Sequence, residues 1–245
     1  MTLRQRGHAL FEHWRERYPA AACRVRNTID LAPWYLARWR TGGAEVYDGP
    51  FWDLHSFGDW RGFAECVLAA CPATHSIVDV GCGQGSALAA FAALDRGLTL
   101  RGFDNSPTAR ARASVAGLRV DSLDVAALPR NGGTAFARAI GRVDLALCLE
   151  VAEHLPSWHA GKLLDVLTCA SRLIFSAAHP NQGGTLHVNE RPALYWIDRL
   201  GSRGFRLAGA DERFRVSIGQ LNLPPWYAEN IHMFEAVNPV CGTKY

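Results

Sequence analysis

The residues best suited to chemistry lie in a glycine-rich stretch that follows an apolar run, Val78-Asp79-Val80-Gly81-Cys82-Gly83-Gln84-Gly85. Glycines let the backbone turn sharply and let a ligand approach the main chain closely. A helix that starts after such a turn adds exposed N–H groups and the positive end of its dipole. The stretch therefore predicts a ligand-binding turn between a buried strand and a helix.

The spacing of the glycines narrows the choice of ligand. A dinucleotide fingerprint has the spacing G-x-G-x-x-G and holds a pyrophosphate on the helix end. Here Gly81, Gly83 and Gly85 alternate, and Ser86 stands where the last glycine of that fingerprint would be. Asp79 is a poor neighbour for a pyrophosphate, but its carboxylate would attract the ammonium group of an amino acid. The alternative is that Asp79 only caps the turn through backbone N–H groups.

Two further carboxylates follow later apolar runs. Asp104 comes 19 residues after Gly85, where a carboxylate can accept hydrogen bonds from both hydroxyls of a ribose. It could also cap the helix that begins near Pro107. Asp124 could accept a hydrogen bond from the amino group of an adenine, although Asp121 lies close enough in sequence to take that place if the short strand is misregistered.

Parallel strands must bring these residues together. Apolar runs alternate with helical stretches from residue 75 onward, which is typical of βαβ units. The predicted strands are 76–80, 98–103, 118–123, 143–149, 172–176, 205–208 and 230–237, and the predicted helices are 61–71, 87–94, 107–116, 159–170 and 191–201. A long loop holding Pro224-Pro225 would join the last two strands. Open α/β sheets bind ligands at the carboxyl ends of their strands, so the candidate residues should share one edge.

The motifs VDVGCGQG, GFDNSP, DSLDVAALP and CLEVAEHLP, in this order and spacing, resemble class I S-adenosylmethionine-dependent methyltransferases. The resemblance is strong over residues 75–180. It implies an α/β fold, a Rossmann-like three-layer sandwich of a mostly parallel seven-stranded sheet, and S-adenosyl-L-methionine as cofactor. The glycine turn would hold the methionine part and Asp104 the ribose. The implied cofactor contacts are Asp79, Gly81, Cys82, Gly83, Gly85, Asp104, Asn105, Asp124, Val125, Leu149 and Glu150.

The run Glu150-Val-Ala-Glu153-His154 allows two interpretations. With a later histidine, it resembles the divalent-metal site of certain RNA 2′-O-methyltransferases and of some ubiquinone-pathway O-methyltransferases, and its oxygens and nitrogen would suit Mg²⁺ or Mn²⁺. Near-identical runs also occur in class I methyltransferases with no assigned metal, where the first glutamate borders the cofactor. We expect no metal here.

Three histidines after the fourth and fifth strands, His154, His179 and His187, are candidate catalytic bases. Histidine titrates in the useful pH range, and a base helps when the acceptor must lose a proton. His154 and His187 rank level, ahead of His179. His187 belongs to the run GGTLHVNE followed by P-x-x-Y-W, which resembles bacterial small-molecule and sugar-modifying methyltransferases. Asn189 and Glu190 in that run would bind the acceptor or tie down the loop, or else help to cap the next helix while Tyr195-Trp196 fill the core.

Aromatic residues concentrate in residues 1–74. We expect this segment to form short helices that make a lid over a methyltransferase domain at residues 75–245. Tyr47, Trp52, His55 and Trp60 could stabilise a sulfonium by cation–π attraction or stack on a planar acceptor. Packing against the sheet is the alternative for each of them.

Composition limits the acceptor and the compartment. The 245 residues carry a net charge of +3 and no run of five like charges, which argues against a nucleic-acid partner. Seven cysteines without a CxxC pair argue against a disulfide framework or a structural zinc site. No signal peptide or membrane-spanning stretch is visible, so we expect a cytoplasmic protein.

We therefore expect methyl transfer to a small-molecule acceptor, at a hydroxyl, amine or carbon nucleophile of a metabolite, natural product or sugar. A homodimer is a possible assembly. The alternatives are a cofactor-binding homologue without catalytic activity and a nicotinamide-dependent oxidoreductase.

Overall fold

A computed structural model describes residues 19–40, 47, 49–54, 57–94 and 97–237. Its strands, in chain order, are β1 (Ser76–Val80), β2 (Thr99–Asp104), β3 (Val120–Ser122), β4 (Val143–Leu149), β5 (Ala170–Ser176), β6 (Phe205–Leu207) and β7 (His232–Ala236). They form one seven-stranded sheet in the order β3-β2-β1-β4-β5-β7-β6. The neighbours from β3 to β5 pair in parallel, whereas β7 pairs antiparallel with both β5 and β6. The predicted α/β, Rossmann-like sheet is thus confirmed.

Helices cover both faces of the sheet. They are α1 (Pro19–Arg40), α2 (Gly49–Leu54), α3 (Trp60–Ala70), α4 (Ser86–Ala93), α5 (Pro107–Val115), α6 (Gly132–Ile140), α7 (Ser157–Leu167), α8 (Ala193–Gly201), α9 (Asp211–Ile218) and α10 (Pro225–Asn230), with a 3₁₀ turn at Ala152–His154. None of these described helices is long and apolar enough to cross a membrane.

Alternation along the strands divides the core into two layers. Successive strand residues point to opposite faces, so Ile77 packs with α3, α4 and α9, while the adjacent Val78 packs with α6, α7 and α8. Both side chains are almost fully buried. The sheet between two helical layers is the predicted three-layer sandwich, and it fixes the carboxyl ends of β1, β2, β4 and β5 along one edge.

Three parts of the prediction differ from the structure. The prediction of a long loop between β6 and β7 was wrong, because α9 and α10 lie there. Pro225 starts α10 rather than extending a loop, since the first turn of a helix tolerates a residue without an N–H. The N-terminal helices are not all short: α1 has 22 residues and contains Pro33. Helix α6, which begins with two glycines, has no counterpart in the prediction.

Candidate active site

A cavity of about 540 Å³ lies at the carboxyl ends of the central strands, beneath α1, Tyr47 and α2. Most of the predicted site residues line it. They are Asp79, Gly81, Cys82, Gly83, Asp104, Asn105, Asp124, Val125, Leu149, Glu150, His154 and His187. Gly85 and His179 are not among the described lining residues. One cavity therefore joins the predicted cofactor residues to two of the three predicted bases.

The glycine turn between β1 and α4 is held by backbone hydrogen bonds. The N–H groups of Gly81 and Cys82 donate to the Phe103 carbonyl at 2.7 and 3.1 Å. Gly83 has φ +55°, and a Cβ there would lie 2.6 Å from Cζ3 of Trp52. Gly85 has φ +83° and packs against Leu118. Gly85 therefore shapes the start of α4, whereas Gly81 and Gly83 face the cavity.

Asp104, at the end of β2, ties the turn to its own strand. Its Oδ2 accepts the N–H of Gly83 at 2.8 Å and its Oδ1 accepts the N–H of Ser106 at 2.8 Å. Burial raises the pKa of this carboxyl, and the two backbone donors oppose that rise. The N-cap of α5 is Ser106, whose hydroxyl accepts the N–H of Ala109, so Asp104 supports the cap instead of forming it.

Asp79 lies in the cavity wall with 3% of its surface exposed. Burial, helped by the charge of Asp104, raises the pKa of Asp79 to about 8. The N–H groups of Gly81, Cys82 and Gly83 donate to the Phe103 carbonyl and to Asp104. These contacts argue against Asp79 as a cap of the turn and leave its carboxyl facing the cavity.

Asp124 organises the loop after β3. Its Oδ1 accepts the N–H groups of Ala126 and Ala127 at 3.0 and 3.3 Å, and its Oδ2 pairs with Arg38 of α1. The alternative residue, Asp121, faces Arg119 and Arg101 and is not a lining residue.

The N-terminal helices are fastened to the sheet domain around the cavity. Nε1 of Trp34 donates to the His154 carbonyl at 2.7 Å. Nε2 of Gln84, in the glycine turn, donates to the Trp52 carbonyl at 2.9 Å. Asp53 pairs with Arg112 of α5 at 2.8 Å. These contacts hold α1 and α2 beside the cavity. His55, the remaining residue predicted for this region, lies outside the described residues.

A chain of polar side chains borders the opposite side of the cavity. The Tyr47 hydroxyl lies 2.8 Å from Nδ1 of His154, and the ring centroids of His154 and His187 are 4.7 Å apart. Nδ1 of His187 lies 3.2 Å from Oε1 of Glu190. Burial raises the pKa of the Tyr47 hydroxyl, and the nearby Glu153 charge adds to the rise.

Glu190 is fully buried and organises the loop that carries His187. It accepts the N–H groups of Asn181 and Gly183 at 2.8 and 2.7 Å. Its backbone exchanges hydrogen bonds with the side chain of Asn27 on α1. The side chains of Asn189 and Glu190 do not cap α8, whose N-cap is Pro192. Trp196 does fill the core, as the alternative interpretation expected.

Two glutamates complete this side. Glu150 has φ +54°, unusual for a residue with a side chain, and its carboxylate accepts hydrogen bonds from Asn230 at 3.1 Å and Gln182 at 3.3 Å. Glu153 is fully buried, and its polar neighbours are the backbone N–H of Ala178 and the carboxyl of Glu150. Burial, followed by the charge of Glu150, raises the pKa of Glu153 well above its usual range.

A divalent cation would have a set of ligands here. Glu153, His154 and His187 offer ligand atoms that all lie within 4.8 Å of one another. Two imidazole nitrogens and one carboxylate oxygen suit Mn²⁺ better than they suit Mg²⁺, because Mg²⁺ prefers sites made of oxygen ligands only. The expectation of no metal stays a prediction.

The sequence analysis missed the contribution of α10. Trp226 and Tyr227 line the cavity, and Asn230 holds Glu150. Pro225 followed by aromatics was the available indication of a helix, but it gave no hint of which residues the helix would approach. His179, by contrast, lies away from the cavity, where burial and the charges of His232 and Arg215 lower its pKa.

Comparisons with known proteins agree with this geometry. A family model described as a methyltransferase domain matches residues 51–174. No curated protein matches the chain. Among solved structures, CalS10, an amino pentose methyltransferase from Micromonospora echinaspora with S-adenosylmethionine bound, is 15% identical with a TM-score of 0.56, over 78% of this chain and 98% of that one.

Two other solved structures match with lower scores. EvdMO1 is 17% identical with a TM-score of 0.48, over 73% of this chain and 41% of that one. The small RNA methyltransferase HEN1 is 20% identical with a TM-score of 0.49, over 72% of this chain and 25% of that one. The family match covers half of the sequence and agrees with the sheet order and the glycine turn. The chain therefore belongs to the S-adenosylmethionine-dependent methyltransferases and is not a nicotinamide-dependent oxidoreductase.

Proposed function

We propose that this methyltransferase acts on a small-molecule acceptor held in the cavity, with the N-terminal helices α1 and α2 as its lid. The observation that carries the proposal is that Trp34, Tyr47 and Trp52 line the cavity together with residues at the carboxyl ends of the strands. A volume of about 540 Å³ falls within the range of small-molecule sites. The weak net charge of +3 also favours a small molecule over nucleic acid.

The lining residues fit the cofactor. Gly81 and Gly83 present main chain to the cavity, and the buried carboxyl of Asp79 would bind an ammonium group. Asp104 would accept the ribose hydroxyls, with Asn105, Val125 and Leu149 beside the nucleoside. When bound, S-adenosylmethionine supplies an electrophilic methyl group on a sulfonium sulfur, which is a strong leaving group, so the protein acts mainly by positioning the acceptor.

Where the acceptor must lose a proton, we propose His187 as the base and Glu190 as the residue that orients it. Glu190 accepts two backbone N–H groups, as an ionised carboxylate does, and it has lone pairs left to accept Nδ1–H of His187. Nε2 of His187 then remains free of a proton and can take one from the acceptor. Burial keeps the Tyr47 hydroxyl protonated, so it can donate to Nδ1 of His154, which would place the proton of a neutral His154 on Nε2. His154 is therefore the weaker candidate.

Radiolabel transfer tests the acceptor class. The purified protein is incubated with S-adenosylmethionine carrying a labelled methyl group and with one of three pools: small metabolites, total RNA or total protein. We expect label in the small-metabolite pool. Label in RNA or protein would contradict the small-molecule acceptor, and no label in any pool would indicate a homologue that binds the cofactor without transfer.

Variants then test the base. His187→Gln should retain S-adenosylhomocysteine binding and lower transfer to a proton-losing acceptor by about 100-fold or more, the usual contribution of a general base. The matched control is His75→Gln, because His75 is exposed at the start of β1, outside the cavity. Equal activity of both variants would exclude His187 as the base.

A further inference from the structure

We infer that the acceptor carries a protonated amino group, and that this group binds at Glu153 between Glu150 and the aromatic wall of the cavity. This inference rests on the proposed function, since it assigns the chemistry of the acceptor at the same site. It concerns how the acceptor is held, and it applies whichever acceptor atom receives the methyl group.

The charge of the cavity is the first argument. Among the described lining residues, five are carboxylic acids and one is an arginine or lysine. That cation, Arg38, already pairs with Asp124. Asp79 and Asp104 face the part of the cavity assigned to the cofactor. Glu150, which was expected to border the cofactor, lies next to Glu153 beyond them, and no arginine or lysine among the described lining residues pairs with either glutamate. The raised pKa of Glu153 shows that these two buried carboxyls share a proton. A cationic ligand could take the place of that proton, so it fits this side better than a neutral one.

Glu153 is the second and more specific argument. Its side chain is fully buried and borders the cavity, and the side-chain group that shares a hydrogen bond with it is the carboxyl of Glu150. Its own backbone carbonyl accepts the N–H groups of Val188 and Asn189, which fixes the residue in place. A buried carboxylate costs free energy unless donors reach its oxygens. An ammonium group brings three N–H donors, whereas a hydroxyl brings one.

Glu150 is held in a way that suits the same ligand. Asn230 and Gln182 donate to its carboxylate, and these amides orient the group without cancelling its charge. Its backbone is kept at φ +54°, a conformation that usually persists where the surrounding structure enforces it. The two glutamates are therefore held in fixed positions and are not a pair of mobile side chains.

Aromatic rings from two elements stand beside the glutamates. Tyr227 and Trp60 both line the cavity, with ring centroids 5.2 Å apart. The carboxylates of Glu150 and Glu153 add to the burial effect that raises the pKa of the Tyr227 hydroxyl, so this residue lies close to both charges. Carboxylates together with aromatic faces are suited to organic ammonium groups, because each attracts a cation.

The test uses charged and neutral probes with the same benzyl group on the full chain saturated with S-adenosylhomocysteine. Benzylamine is charged at neutral pH, while benzyl alcohol and N-acetylbenzylamine are neutral. We expect benzylamine to bind at least about tenfold more tightly than either neutral probe, as measured by calorimetry, since charge-assisted hydrogen bonds are about twice as strong as neutral ones. This comparison needs no variant and therefore does not depend on the folding of one.

Glu153→Gln should remove that preference and leave the affinity for S-adenosylhomocysteine within about twofold, because Glu153 lies on the acceptor side. The control is Glu65→Gln, at an exposed position on α3. Equal binding of benzylamine and benzyl alcohol would overturn the inference. Stabilisation by Mn²⁺ that requires Glu153, with no response to benzylamine, would overturn it in favour of a metal. In either case retained S-adenosylhomocysteine binding would leave the proposed function intact.

Discussion

Asp104→Asn is the substitution whose effect follows most directly from the structure. The carboxylate accepts one N–H group on each oxygen, from Gly83 and from Ser106, both at 2.8 Å. Asparagine has the same shape but replaces one oxygen by an NH₂ group, so a donor would then face a donor. The variant also loses the negative charge that would strengthen the hydrogen bonds to the ribose hydroxyls.

The size of the effect can be estimated from these contacts. A lost hydrogen bond to a charged group costs about 1–3 kcal/mol, which corresponds to an affinity for S-adenosylhomocysteine about 5- to 150-fold weaker. The free energy of unfolding of the unliganded protein should change less than the free energy of binding. The reason is that the substitution also removes a carboxyl that is costly to bury, as its raised pKa shows.

Isothermal calorimetry with S-adenosylhomocysteine measures the affinity, and the thermal midpoint of the unliganded variant reports on its fold. Asp121→Asn is the matched control, since Asp121 lies on the neighbouring strand β3 and outside the cavity. An Asp104→Asn protein that binds as tightly as the wild type would refute the ribose role and the placement of the cofactor along β2.

Three further predictions concern the same cavity. Gly83→Val should abolish S-adenosylhomocysteine binding without unfolding the protein, because a Cβ at φ +55° would lie 2.6 Å from Trp52; calorimetry that still shows binding would count against this site. The affinity for S-adenosylhomocysteine should rise by up to about tenfold per pH unit between pH 6 and 8. The pKa of Asp79 is raised to about 8, and only its charged form attracts the ammonium group of the ligand. Asp79→Asn should flatten this pH profile, and an unchanged profile would exclude the contact. EDTA should leave methyl transfer intact, whereas a loss restored by Mn²⁺ or Mg²⁺ would show that Glu153, His154 and His187 hold a metal.

The sheet and the cofactor side of the cavity could be predicted from the sequence because their determinants are local. A short apolar run followed by alternating glycines specifies a strand and a tight turn wherever it occurs. The structure accordingly places β1 at Ser76–Val80, as predicted, and brings Asp79, Gly83 and Asp104 to one edge. Parallel pairing then follows from the alternation of strands and helices.

The acceptor side of the cavity could not be predicted from the sequence, because it is built by contacts between residues far apart in the chain. Glu190 meets Asn27 across 163 positions of the chain, and Glu150 meets Asn230 across 80. The short helix α10 was predicted as a loop because its two prolines suggested a break, yet it supplies Tyr227 and Asn230 to the site. Tertiary packing overrides local propensity in such segments.

A crystal structure of the protein with S-adenosylhomocysteine would test the central claim most directly. The account predicts the amino-acid end of the ligand at Asp79 and Gly81, its ribose hydroxyls on Asp104, and its sulfur facing the space between Glu153 and His187. Density for the ligand elsewhere on the protein, or in this cavity with the ribose away from Asp104, would contradict it.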